Sequence, residues 1–248
     1  TVANNKAVTI SGLALSGADA GNYTVTDASN ATANITAKPI TATGVTAVNK
    51  IYNANTVATL NTGLAAITAG ATADDDKKYY DGDTVILEKA GATGAFADKT
   101  VANNKAVTIS GLTLSGEDAG NYTVTDNSGA TADITAKAIT ATGVTASDKV
   151  YNANTTATIN TASASITAGA ATDDDKKYYT GDAVALETAG ATGAFADKHA
   201  GIGKAVTVSG FTLSGEDAGN YSVSDASNAT ADITAKAITV SGITASGK

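Results

Sequence analysis

The stretch Ala106-Val107-Thr108-Ile109-Ser110-Gly111-Leu112-Thr113-Leu114-Ser115-Gly116-Glu117-Asp118-Ala119-Gly120-Asn121-Tyr122-Thr123-Val124-Thr125 decides the fold class. Val107 and Ile109 alternate with threonine and serine, the two-residue period of a half-buried strand. After Gly111 the alternation resumes one step out of phase, with Leu112 and Leu114 on the inner face. A glycine at a phase slip marks a β-bulge or tight bend. Ser115 to Asn121 is a dense turn signal, and Tyr122-Thr123-Val124-Thr125 is the next alternating strand.

Working outward, the same pattern predicts strands at Ala132-Asp133-Ile134-Thr135, Ile139-Thr140-Ala141-Thr142, Lys149-Val150-Tyr151, Ala157-Thr158-Ile159, Val184-Ala185-Leu186 and Gly193-Ala194-Phe195-Ala196. Short strands at this spacing, with little helical periodicity between them, predict an all-β sandwich, immunoglobulin-like topology being the default arrangement. The stretch 160–182, with its copy at 61–83, is the least regular. Ala164-Ser165-Ile166-Thr167-Ala168 predicts a strand there, and the Ala-Gly run and triple aspartate after it predict a surface excursion. Loops carry function more often than strands, so unit-specific behaviour is expected first in this stretch.

These elements recur. Thr1 to Gly12 returns unchanged at Thr100 to Gly111, and Lys50-Ile51-Tyr52-Asn53-Ala54-Asn55-Thr56 returns as Lys149-Val150-Tyr151-Asn152-Ala153-Asn154-Thr155. Asp74-Asp75-Asp76-Lys77-Lys78-Tyr79-Tyr80 returns as Asp173 to Tyr179. The common offset is about 99 residues, the size of a whole domain and far beyond the period of most solenoids. The chain therefore reads as an extended tandem array of β-sandwich domains.

Composition narrows the function classes. The apolar residues are mostly small, with 5% aromatics and no cysteine, methionine or tryptophan, so cores should be thin and no disulfide framework exists. The net charge of −8, with lysine as the only cation, argues against nucleic-acid binding. No apolar run is long enough to span a membrane, and no signal peptide opens the chain.

Candidate sites are few. His199 is the single histidine, and Thr100 stands at its place one repeat earlier, so it reads as a surface variant and catalysis is not expected. The acidic residues Asp74, Asp75, Asp76, Asp81 and Asp83, and in the next copy Asp173, Asp174, Asp175 and Asp182, concentrate oxygen ligands of the kind that hold Ca²⁺. Their spacing matches no EF-hand, and the competing reading is a solvated turn balanced by Lys77-Lys78 and Lys176-Lys177. No other cofactor is expected. Lys50 and Lys149 lie on strand signals, where a lysine crosslink to an asparagine or aspartate would need them.

The longer motifs resemble the mostly-β, glycine-rich (MBG) repeat modules of large bacterial exoproteins, in particular the YDG type. Lys149 to Thr158 resembles the opening run of such modules, and Phe96-Ala97-Asp98-Lys99 and Phe195-Ala196-Asp197-Lys198 resemble an internal one. Ser110 to Tyr122 is similar to the closing run, with near copies at Ser11 to Tyr23 and Ser209 to Tyr221. Asn152-Ala153 stands where the module's name implies Asp-Gly, a departure at a turn. Phased on the resemblance, 40–138 and 139–237 are complete repeats, 1–39 is the C-terminal part of one and 238–248 the start of another. The resemblance implies a stalk or spacer in a filamentous-haemagglutinin-like adhesin at the bacterial cell surface. Its partners would be neighbouring repeats of the same chain, with no membrane insertion of this segment. The alternative is an extracellular fibre or matrix that self-associates by strand exchange between repeats. The linker Thr135-Ala136-Lys137-Ala138-Ile139, short and without glycine, favours a stiff joint, and Pro39 in place of Ala138 should stiffen its copy.

Overall fold

A computed structural model describes residues 1–71, 76–126, 128–170 and 175–247. Among these the chain is all-β, interrupted only by one-turn 3-10 helices at Ala20–Asn22, Ala119–Asn121 and Ala218–Asn220. It divides into two compact units. The first comprises Thr1–Val48, Val57–Ala97 and Ala106–Ala132, the second Asn49–Thr56, Asp98–Lys105 and Asp133–Lys248.

The second unit is built on a five-stranded sheet in the order Lys149–Val150, Thr230–Thr234, Gly201–Ser209, Thr192–Phe195, Thr156–Ala157. Thr192–Phe195 and Gly201–Ser209 pair antiparallel from Thr192↔Ser209 to Phe195↔Val206. Their alternation sends Phe195, Val206 and Val208 inward, against Val144, Ala157, Ala229, Ala231 and Ile233. Burial of these small side chains is the main favourable term available to a core of this composition. Opposite the sheet, Lys137–Ala141 pairs in parallel with Tyr221–Asp225, and Ala185–Glu187 pairs antiparallel with Thr212–Ser214.

The first unit repeats these pairings with its own residues. Lys38–Ala42 runs parallel to Tyr122–Asp126, and Ile86–Glu88 runs antiparallel to Thr113–Ser115. Ile40, Val85 and Tyr122 form a buried cluster with Ile67, Leu114 and Val124 packed on it. Ala3–Ala7 pairs with Thr32–Ile35, as their counterparts in the repeats do, yet Val8 and Leu13 are exposed.

The strand pattern is close to the one the sequence predicts, with three informative differences. The run Ala157-Thr158-Ile159 is not one strand: Thr156–Ala157 pairs with Thr192–Phe195, whereas Ile159–Asn160 pairs with Thr145–Ala146. One alternating run thus serves two sheets by turning a corner at Thr158. In Ala164–Ala168, Ser165 makes only an isolated bridge to Thr142, and the strand proper is Ala168–Gly169. Between Thr131–Thr135 and Lys137–Ala141 only Ala136 lies outside a strand, and Lys137 is fully buried, so no free linker exists there.

The turn at Asn152-Ala153 keeps the geometry a glycine would favour. Ala153 has φ 65° and its copy Ala54 φ 59°, both in the left-handed region that costs an L-residue roughly 1–2 kcal/mol. Gly at either position removes that strain but adds unfolded-chain entropy. Ala153→Gly is therefore expected to stabilise the protein by about 0.5–1 kcal/mol, read as an upward shift of the denaturant midpoint.

Candidate functional site: a tyrosine, carboxylate and lysine clasp

The site lies inside the second unit and begins with Tyr52. The strand Lys50–Ile51 runs parallel to Ile134 and Thr135, and the Tyr52 N–H donates to Thr135 O at 2.8 Å, which fixes the direction of the side chain. Lys50 Nζ donates to Asn55 O at 2.8 Å and closes the loop that follows. So held, Tyr52 is fully buried. Its ring meets Tyr221 edge-on at 5.4 Å between centroids and Tyr179 at 5.9 Å, geometries that favour aromatic pairs.

Three donors converge on Asp182. The Tyr52 hydroxyl donates to Oδ2 at 2.8 Å and the Tyr221 hydroxyl to the same oxygen at 2.6 Å. Lys99 Nζ donates to Oδ1 at 2.8 Å and stands 3.4 Å from Asp217 Oδ1. The Asp182 side chain is only 5% exposed, so these partners replace the water it loses. The Tyr221 hydroxyl in turn accepts the Tyr179 N–H at 2.9 Å, completing a network in which each oxygen is used.

Burial, joined by the hydrogen bond to the Asp182 carboxylate, pushes the Tyr221 phenol far above its ordinary value. Burial likewise pushes Tyr52 up to about 12. Burial pulls the Asp182 carboxyl upward, but Lys99 and the two hydroxyls outweigh it and hold the group below the usual carboxylate range. The hydrogen bond to Asp182, then that to Tyr52, raises Lys99. The signs define a pH window. The tyrosine contribution is complete below the phenol's unfolded value near 10 and is lost as pH rises through about 12. The Asp182 contribution is present above the unfolded carboxylate value near 4 and is lost as pH falls through its lowered native value.

The closing motif of the repeat supplies most of the frame. Gly215, at φ 107°, sets its backbone against the carbonyl of Ala183, where a Cβ has no room. Asp217 Oδ2 accepts the Ala183 N–H at 3.0 Å, and the buried Asn220 accepts the Val101 N–H on its Oδ1 at 3.0 Å. Gly, Asp, Asn and Tyr at this spacing are therefore four separate ties to the same clasp. In the first unit the corresponding ties are Gly116 against Thr84, Asp118 to the Thr84 N–H at 2.9 Å, Asn121 to the Val2 N–H at 3.1 Å, and the Tyr122 hydroxyl to Asp83.

The sequence-predicted acidic residues are distributed among these contacts. Asp182 is the centre of the clasp, Asp83 pairs with Tyr122, Asp76 takes Lys38 at 2.8 Å and Asp175 takes Lys137 at 2.7 Å. Asp81 is exposed, and Asp74, Asp75, Asp173 and Asp174 lie outside the described residues. Among the described residues no group of three or more histidine, cysteine or acidic side chains is placed to hold a metal ion. Lys149 Nζ is directed at Asn154 O and Thr156 O, both at 2.8 Å, and at Asn154 Oδ1 at 3.0 Å, so it closes a loop as Lys50 does. His199 is exposed, its N–H on Asp197 Oδ1. Tyr52, Lys99 and Tyr221 were not singled out from the sequence as site residues, although all three sit in the recurring motifs. Their recurrence as polar or aromatic residues inside strand-and-turn motifs was the available signal.

A tandem all-β repeat whose motif residues tie one repeat into the next defines a repeat module. The chain belongs to the YDG domain family, whose model matches residues 36–130 and 135–231. No curated protein sequence and no solved structure matches it.

Proposed function

We propose that the chain is a non-catalytic spacer segment of a secreted or cell-surface bacterial adhesin, holding an adhesive region away from the cell. The observation that carries this reading is the clasp. Tyr52 and Lys99 belong to the first sequence repeat, Asp182, Asp217 and Tyr221 to the second, and all five pack in one compact unit. A repeat that borrows residues from its predecessor to complete its own buried network is tied to that predecessor by more than the connecting chain. A stalk requires ties of this kind, so that each copy adds a fixed length. YDG membership and the adhesin resemblance of the closing motif support the biological setting.

Small-angle scattering from chains of two, four and six repeats tests this. The maximum dimension is expected to rise linearly with repeat number, by a few tens of Å per repeat given strands of ordinary length. Growth with about the square root of repeat number, as for a flexible chain, overturns the reading.

A further inference from the structure

In each repeat a strand near the start is paired with a strand near the close, and the two run in the same direction. Lys137–Ala141 lies parallel to Tyr221–Asp225 through five consecutive pairings, from Lys137↔Tyr221 to Ala141↔Asp225. Lys38–Ala42 lies parallel to Tyr122–Asp126 in the same register. The strand that follows in the second unit, Thr230–Thr234, is parallel to Lys149–Val150 on one side and antiparallel to Gly201–Ser209 on the other.

Strand direction decides how such a ladder bears tension. Tension along the chain draws the early strand from its N-terminal end and the late strand from its C-terminal end. In a parallel pair these ends lie at opposite limits of the ladder, so the strands must slide and every pairing is loaded at once. In an antiparallel pair they lie side by side, and the pairings open one after another.

Side chains anchor the end of the ladder at which the early strand is drawn. Lys137 is fully buried, its ammonium 2.7 Å from Asp175 Oδ1 and 2.8 Å from Lys177 O. Its pairing partner Tyr221 is held through its hydroxyl by Asp182 and the Tyr179 N–H. The first unit repeats both anchors, with Lys38 on Asp76 at 2.8 Å and the Tyr122 hydroxyl between Asp83 and the Tyr80 N–H. A buried ion pair adds little at equilibrium over apolar side chains of the same volume. Its hydrogen bonds are short-ranged and directional, however, and these are the properties that resist sliding.

We propose that the ladder between Lys137–Ala141 and Tyr221–Asp225 is a shear clamp, a load-bearing element that keeps the unit folded under tension along the chain, with Lys137 and Tyr221 as its anchors. The inference rests on strand direction and stands apart from the spacer reading. Scattering reads the joint between repeats, whereas force reads the ladder within a unit.

Single-molecule force spectroscopy of the full chain tests it. The chain has no cysteine, so pairs of introduced cysteines serve as unique handles, and Ala138, Thr142 and Ala226 are exposed. Ala138→Cys with Ala226→Cys draws the ladder along its strands, and Thr142→Cys with Ala226→Cys draws the same ladder open from one end. Each rupture is identified by a lengthening of roughly 300 Å, the extended reach of the residues between the handles. The rupture force along the strands is expected to exceed the opening force at least about twofold, since five pairings yield together rather than in turn. Lys137→Met, which keeps the ladder and removes the anchor, is expected to lower the force along the strands and leave the opening force nearly unchanged. Equal forces in the two directions overturn the clamp. A Lys137→Met chain that loses the same fraction of force in both directions overturns the role of Lys137 as its anchor.

Discussion

Asp175→Ala is expected to cost about 3–5 kcal/mol. Lys137 is fully buried, with its ammonium 2.7 Å from Asp175 Oδ1 and 2.8 Å from Lys177 O, over the Tyr179 ring. Removing the carboxylate leaves a charge that cannot reach water, because the strand Lys137–Ala141 is locked by five parallel pairings with Tyr221–Asp225. The penalty is that of an uncompensated buried charge, not the worth of the pair itself. Lys137→Met separates the two: it removes the charge, keeps the apolar stem and should cost clearly less. The corresponding Asp76→Ala should be milder, since the Lys38 side chain is 10% exposed where that of Lys137 is fully buried. Urea denaturation of the four proteins measures the order, and a Lys137→Met loss equal to that of Asp175→Ala contradicts the argument.

Gly143→Ala is expected to cost on the order of 3 kcal/mol by a different route. Gly143 has φ 89°, and an added Cβ runs into the carbonyl oxygen of Ser163. Neither side can yield. Thr142 and Ser165 exchange backbone hydrogen bonds at 3.0 and 2.9 Å, and the Val144 N–H is held by Ser227 Oγ at 2.9 Å with the Val144 side chain in the core. Gly181→Ala is the matched control. Its φ is 104°, yet nothing lies within 4 Å of the added carbon, so it pays only backbone strain of about 1 kcal/mol. If the two substitutions shift the thermal midpoint equally, the close approach to Ser163 is not what fixes glycine at position 143.

The two cases explain how far the sequence could be read. Alternation located the long strands well: Ala102–Ser110, Thr113–Ser115 and Tyr122–Asp126 fall where Val107, Ile109, Leu114 and Val124 predict them. It failed at Ala157-Thr158-Ile159, because a chain turning a corner between sheets keeps its two-residue period while changing its partners. Parallel pairing of Lys38–Ala42 with Tyr122–Asp126 was invisible for a related reason. Periodicity records which face of a strand is buried, and carries nothing about the strand beside it or its direction.

The acidic residues show the same limit at the site. Their density suggested cation ligands; of those described, Asp76 meets Lys38, Asp175 meets Lys137, and Asp83 and Asp182 accept from tyrosine hydroxyls, while Asp74, Asp75, Asp173 and Asp174 lie outside the described residues. Asp76 and Asp83 stand on either side of the strand Tyr79–Tyr80, and Asp175 and Asp182 on either side of Tyr178–Tyr179, so the members of each pair meet different partners.

By itself the sequence determined the repeat, its period of about 99 residues, the all-β class and the turn glycines, because these follow from local pattern and from residues that only certain backbone angles accept. The tertiary structure decided that compact units do not follow the repeat. Asn49–Thr56 and Asp98–Lys105 pack with residues that lie well over 70 positions later in the chain, carrying Tyr52 and Lys99 to Asp182. Buried hydrogen bonds and ring contacts of that kind act through space, and no periodicity along a chain encodes them.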